Sequence, residues 1–235
     1  MARVRGRPGL IITADDYGYA RGYDEGIVEA AGARALDAVS AMVLREGIDP
    51  EPLLGTGSEI GLHLELPPEV TGGARAGKRE RELAVGALRE QLARFESMFG
   101  RPPAHLDGHH HCHAHPGLAS AIAREAASRG LPVRSVGDAH RALLRRHHVR
   151  TADRLVGRFS EEAEAALPIE LRPVVEDGGE LPPGLTEWMV HPGHRDPESG
   201  SGYDQAREED LDLLLGLSLD PALSAARLTH AAAFG

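Results

Sequence analysis

The chain has 235 residues, a formal net charge of −10 and a pI near 5.7. Aromatic residues make up only 4 % and there is no Lys/Arg block, so no nucleic-acid partner is expected. No apolar run reaches the roughly 20 residues that cross a bilayer, and the single cysteine excludes an intramolecular disulfide framework, so a reducing, cytoplasmic location is expected.

The apolar run at 9–14 stops at Asp15-Asp16, too soon for a signal peptide, and reads as a buried first strand. Residues 20–33 read as a helix with Ile27 and Val28 inward, and 38–44 as a second strand. Pro50 and Pro52 punctuate the next connection, and 59–64 is a third strand. Residues 67–79 are Pro/Gly/charged without periodicity, so a mobile loop is expected. Leu83, Leu88, Leu92, Phe95 and Phe99 lie at helical spacing in 80–99, closed by Gly100 and Pro102. A short strand at 104–106, a helix at 117–129 and a short strand at 132–134 follow. Residues 138–166 read as mainly helical with a break near Thr151, and 167–175 as a strand. After a loop through Gly178-Gly179 and Pro182-Pro183-Gly184 come a strand at 186–190 and an amphipathic helix at 204–217. Strand and helix alternate throughout, which argues for a parallel sheet or a barrel in one domain, residues 1–235. The apolar stretch 211–219 serves either as core or as an interface, which leaves a homodimer open.

Residues 105–115 hold six of the chain's 13 histidines together with Asp107 and the only cysteine, Cys112. Imidazole, carboxylate and thiolate are ligands for zinc and related divalent metals. Four polar groups stand at or just past predicted strand ends: Asp15-Asp16, His63, the 105–115 cluster, and His191-Pro192-Gly193-His194. In a parallel α/β architecture such ends converge on one face, so together they read as a site. Each residue also has a simpler structural reading. Asp15 or Asp16 alone would cap the following helix, His63 alone would be a core histidine, and His191 would be a turn residue. If the site reading holds, one aspartate binds metal while the other accepts a proton, and alternation along the strand sends the two to different sides. A mononuclear catalytic site needs three protein ligands and an open position, so not every histidine is a ligand. Asp107 is placed to hold a ligand imidazole in one tautomer. Cys112 reads as a buried structural thiol. His191 is a candidate general acid, with Glu187 and Trp188 packing around it.

Taken together, Thr13-Ala14-Asp15-Asp16-Tyr17-Gly18, Gly61-Leu62-His63-Leu64, the stretch from His105 to His113, and Glu187-Trp188-Met189-Val190-His191-Pro192-Gly193 resemble the YdjC-like carbohydrate deacetylases. This family includes chitooligosaccharide deacetylases and hopanoid-biosynthesis-associated proteins. The resemblance covers about residues 9–217. It implies an α/β fold, a single-domain distorted (β/α) TIM-like barrel similar to polysaccharide deacetylases. It also implies one divalent metal ion, Mg or Zn, held by Asp16, His63 and His109, with Asp15 as general base and His191 as candidate acid. Asp107, His111, His113 and Arg207 would stand behind the ligands or touch substrate, and Arg207-Glu208 resembles the family's closing segment. Gly108 stands where serine is common in the family, and Cys112 where an apolar residue is common.

The implied reaction is hydrolysis of the acetamide of a small N-acetylated sugar or glycoconjugate. Two other classes are weighed beside it. A metal-dependent phosphoesterase would use the spare histidines for a second or third metal. A non-catalytic metal- or sugar-binding protein would bind metal without turnover.

Overall fold

The computed structural model describes residues 8–73, 76–158, 167–177, 179–218 and 220–235. Six strands form one sheet: β1 (Pro8–Tyr17), β2 (Ala38–Ala41), β3 (Glu59–Leu64), β4 (Leu106–Gly108), β5 (Arg154–Gly157) and β6 (Gly184–Val190). Their order is β4-β3-β2-β1-β6-β5, every pairing is parallel, and the sheet curls into a half-barrel with helices around it. Parallel strands covered on both faces carry near-continuous apolar runs. Accordingly β1 is buried from Gly9 to Tyr17, and β6 from Leu185 to Val190.

The register decides where the chemistry lies. Ala14 of β1 pairs with both Val39 and Val190, and His63 of β3 pairs with Asp107 of β4. The C-terminal ends of β1, β3, β4 and β6 therefore open on the same edge, and Asp15, Asp16, His63, Asp107 and His191 arrive there together.

Helices cover the sheet as the apolar spacing dictates. The helix Arg21–Gly32 buries Tyr23, Ile27, Ala30 and Ala31, with Val28 packed partly against the core. The helix Lys78–Phe99 buries Ala84, Leu88, Leu92, Phe95 and Phe99, and ends on Gly100 at φ +66°, the left-handed cap that glycine accepts without Cβ strain. Leu83 falls one position off that stripe and is 49 % exposed, so it does not join the core as its spacing suggested. No helix among the described residues is long and apolar enough to cross a membrane.

Several expectations change in the structure. The stretch 138–166 is not mainly helical. A helix, Asp138–Arg146, stops at His147, His148 turns left-handed at φ +59°, and Arg154–Gly157 becomes an edge strand paired with β6. Four residues are too few to display a period, so that strand was invisible to pattern reading. Residues 159–166 of the same expectation lie outside the described residues.

The strand expected at 167–175 is instead a turn followed by the helix Arg172–Asp177. Ile169 is 72 % exposed while Leu171 and Val174, three apart, are buried. That is helical spacing, and Pro173 is tolerated in a first turn. Within the expected loop 67–79, Pro68–Thr71 forms a short helix and the long helix already starts at Lys78; residues 74–75 lie outside the described residues, as do 178 and 219. The strand expected at 104–106 runs from Leu106 to Gly108. The one expected at 132–134 reduces to a single parallel bridge, Val133 with Leu106.

Candidate active site

β1 does not end as a regular strand. Its register with β2 shifts between Ala14 and Tyr17, and Asp16 adopts φ +70°. A non-glycine residue there is strained and is held only by its surroundings. The bulge overrides strand alternation, so both aspartates line the same cavity instead of facing opposite sides. Neither caps the next helix, whose N-cap is Ala20.

That cavity, about 260 Å³, is walled by Asp15, Asp16, His63, His109, His191 and Arg207, with Tyr19 and Tyr203 at its sides. His63 Nε2 lies 3.2 Å from Asp16 Oδ1, and His109 Nδ1 lies 3.0 Å from the same oxygen. One donor atom from each of Asp16, His63 and His109 falls within 4.8 Å of the others. The other oxygen of Asp16 accepts from Arg207 Nη2 at 2.6 Å. The Arg207 guanidinium is itself stacked over the Tyr23 ring at 3.9 Å.

Beside these groups is a second cluster, centred on Arg134. Arg134 donates from Nη1 and Nη2 to the two oxygens of Asp15 at 2.6 and 2.8 Å, and from Nε to Glu187 at 2.8 Å. Its Nη2 also lies 2.8 Å from Asp107 Oδ2, and Asp107 Oδ1 accepts from His63 Nδ1 at 2.8 Å. That last bond commits Nδ1–H of His63 to Asp107 and turns Nε2 toward Asp16.

Electrostatics follow from this layout. Burial alone would raise the Asp16 carboxyl, but bonds from His109 and His63 and the Arg207 charge hold it well below the usual carboxylate range. Burial opposes charge on His63, yet Asp107, Asp15 and the bond to Asp16 outweigh it and raise the imidazole well above its ordinary value. The spot between Asp16 and Asp107 thus favours a positive charge. Four buried carboxylates (Asp15, Asp16, Asp107, Glu187) face two buried guanidiniums (Arg134, Arg207), a formal excess of two negative charges once His63 is neutral, the form in which an imidazole can be a ligand. A divalent cation would balance it, and two imidazoles with one carboxylate are a suitable donor set. Asp15, His63 and Asp107 also lie close enough to share a cation, but Arg134 already fills that space with positive charge.

The structure sorts the remaining histidines. His110 and His111 follow His109 in left-handed conformations, φ +48° and +55°, and both line the cavity. His113 is fully buried off the cavity, its Nε2 donating to the Arg134 carbonyl at 3.1 Å. His115 reaches Gly73 O, and His194 pairs with Glu29 at the surface. Cys112 donates its thiol to Leu64 O at 3.1 Å, and burial pushes it up to about 12, consistent with a structural thiol. His191 reaches the cavity, with its backbone N–H bonded to Asp210; burial pushes its imidazole below the ordinary value despite the nearby Asp16 and Asp15. Glu208 pairs with Arg195 on the surface, away from the cavity.

Arg134 is the group that pattern reading missed. The available signal was a lone charge at the end of Pro132-Val133-Arg134, a stretch that otherwise reads as buried strand.

Comparison with known proteins identifies relatives of the chain. Residues 9–225 match the YdjC-like protein family. A chitooligosaccharide deacetylase from Serratia marcescens is 31 % identical, over 92 % of this chain and 94 % of the relative. A second chitooligosaccharide deacetylase, from Salmonella newport (strain SL254), is 36 % identical over 53 % of this chain and 58 % of its own. Among solved structures, one from Enterococcus faecalis V583, named for cellobiose-phosphate cleavage, superposes with a TM-score of 0.74 at 21 % identity, covering 96 % of this chain and 98 % of its own. A Streptococcus mutans CE4 esterase superposes at 0.57 and 12 % identity over 92 % and 84 %. At these identities the two structures speak to the fold, while the match across 9–225 and the Serratia relative speak to descent: the chain belongs to the YdjC-like protein family.

Proposed function

We propose that the chain is a metal-dependent hydrolase that removes the acetyl group from an N-acetylated amino sugar, with N-acetylated chito-oligosaccharides as the substrate class suggested by the names of its relatives. The observation that carries it is the meeting of Asp16, His63 and His109 donor atoms in a cavity that Asp15 and His191 also line. Contributions from β1 through the helix Asp204–Leu217 to one cavity support a single domain over the chain.

Asp16, His63 and His109 would hold one divalent ion, Mg or Zn; such an ion polarises a carbonyl oxygen and lowers the pKa of water toward about 7. Asp15 acts as general base. Arg134 takes one lone pair from each Asp15 oxygen and fixes the carboxylate plane, which leaves a lone pair free to accept the proton of the attacking water. Arg207 holds Asp16 from the side opposite the histidines and keeps that carboxylate from swinging away. His191 faces the same cavity and delivers a proton to the departing amine nitrogen. Its burial favours the neutral imidazole, so the proton it passes to the nitrogen is replaced by the one Asp15 took from the attacking water, and the base and acid steps balance. Acetate and the free amino sugar leave without a covalent intermediate.

The test is acetate release from a panel of N-acetylated sugars, using protein stripped of metal and reloaded with Zn, Mg, Mn or Co. Release that needs the metal and disappears in Asp15→Asn is the expected result. Stoichiometric metal binding without acetate from any sugar would overturn the reading.

A further inference from the structure

A line of buried polar groups runs behind the cavity toward the opposite end of the sheet, and the proposed reaction does not use it. Ser40, on β2, is fully buried and touches two groups: its Oγ lies 2.7 Å from Asp107 Oδ2 and 2.9 Å from His105 Nε2. A serine hydroxyl has one proton to give. Asp107 is met by donors on both oxygens, His63 Nδ1 at Oδ1 and Arg134 Nη2 at Oδ2, so it acts as an acceptor and the hydroxyl proton goes to Asp107. Ser40 must then accept from His105, which makes His105 an Nε2–H tautomer with a bare Nδ1. That assignment matches the rest of the site: His105 Nδ1 is buried with no hydrogen-bond partner among the described residues, and burial, then the neighbouring His230, pushes the ring well toward the neutral form.

The His105 ring is clamped on both faces. A Cβ on Gly61 would collide with it, so glycine at 61 in the middle of β3 is what leaves room for the ring. On the other side His230 stacks parallel to it, 4.1 Å between centroids and 9° between planes, and His230 Nδ1 lies 3.3 Å from Glu59.

We propose that Ser40 and His105 are positioning residues for His63: the one-way chain His105 Nε2–H to Ser40 Oγ–H to Asp107 Oδ2 fixes the Asp107 carboxylate plane, and Asp107 Oδ1 in turn keeps His63 Nε2 aimed at Asp16. The metal-related part of this inference rests on the function proposed above; the orientation of His63 does not. Partners behind ligand histidines typically account for about 10–100-fold in metal affinity. Ser40 and His105 stand one and two bonds behind Asp107, which also has Arg134, so the lower end of that range applies.

The experiment compares Ser40→Ala, His105→Phe and His105→Gln in the full chain. Phenylalanine preserves the stacked ring and removes the donor. Glutamine loses the ring and keeps an N–H for Ser40. Three quantities are read: zinc affinity by chelator competition, the hydrogen-bonded His63 Nδ1–H proton resonance in the metal-free protein, and Tm. In Ser40→Ala and His105→Phe, zinc binding is expected to weaken about tenfold. The His63 proton should shift upfield and exchange faster, with Tm within about 4 °C of the unsubstituted chain. His105→Gln should restore zinc affinity to within about threefold, on the grounds that the donor rather than the ring matters. If His105→Phe leaves both zinc affinity and the His63 proton unchanged, or if affinity tracks Tm across all three variants, the chain is packing and the proposal fails. If the unsubstituted protein binds no divalent metal, the proposed function fails, and the His63 proton alone still decides the positioning role.

Discussion

Two carboxylate clusters sit side by side at the open end of the sheet and differ in what satisfies them. Around Arg134, the charges of Asp15, Asp107 and Glu187 converge on a cation the chain supplies, and of these groups only Asp15 lines the cavity. Around Asp16 the partners are His63, His109 and one edge of Arg207, and the cavity opens directly onto them. The first cluster is architecture that holds Asp15 and His63 still. The second has donor atoms and too little positive charge. Adjacent residues in the sequence, Asp15 and Asp16, belong to different clusters because the β1 bulge turns them to different partners while leaving both on one cavity wall.

The sharpest way to break this comparison is to remove a ligand. Asp16→Ala, or His109→Ala, should abolish stoichiometric metal binding, read by metal analysis after gel filtration, and reduce acetate release to background. If either variant retains metal at one per chain, the open cluster is not the metal site.

Asp15→Asn separates the clusters from the other direction. It should keep the metal and lower kcat about 10²–10⁴-fold, the usual contribution of a positioned base. Unchanged turnover would remove Asp15 as base.

Arg134→Met probes the cluster around Arg134 through stability. Leaving three buried carboxylates without their cation should cost about 3–5 kcal/mol, measured by urea unfolding of the metal-free protein. A loss below about 1 kcal/mol would mean that water reaches the carboxylates and that Arg134 does not hold the cluster together.

The smallest expected effect is in pH dependence away from the cavity floor. Burial, with a lesser contribution from His111, pushes His140 down to about 4, and burial also drives His113 toward the neutral form. An unfolded histidine titrates near 6.5, so between those values the unfolded chain binds more protons than the folded one. Stability contributed by these residues is present above about pH 6.5 and is lost as pH falls toward about 4. Urea midpoints measured across that window should fall with acidification, and His140→Asn should flatten the slope. A slope that His140→Asn leaves untouched would assign the acid sensitivity elsewhere.

Much of this was readable from the chain alone, for identifiable reasons. The short, mainly apolar stretches at 9–14, 59–64 and 186–190, alternating with helical segments, read as covered strands, and polar groups at or just past the ends of such strands gather at one edge of a parallel sheet. The alternation of strand and helix therefore determined the α/β class, and the order of Asp15-Asp16, His63, the 105–115 cluster and His191 put these residues at one end of the sheet. Regular helices with several turns of spacing, such as 78–99 and 204–217, were legible for the same reason: periodicity accumulates with length.

What lay beyond the sequence was whatever depends on a partner far along the chain. The edge strand Arg154–Gly157 exists because β6 offers it hydrogen bonds, not because four residues carry a pattern. The lone charge of Arg134 at the end of an apolar stretch marks it as unusual but does not name its partners, carboxylates 119 and 53 residues away. Six histidines in eleven positions look equivalent in a string. Only the left-handed turns at His110 and His111, the glycine space at 61 and the burial of His105 and His113 decide which imidazole faces the cavity and which stands behind it. Composition and period set which residues leave water. The directions in which the polar ones point are set by bonds that form only when the sheet closes.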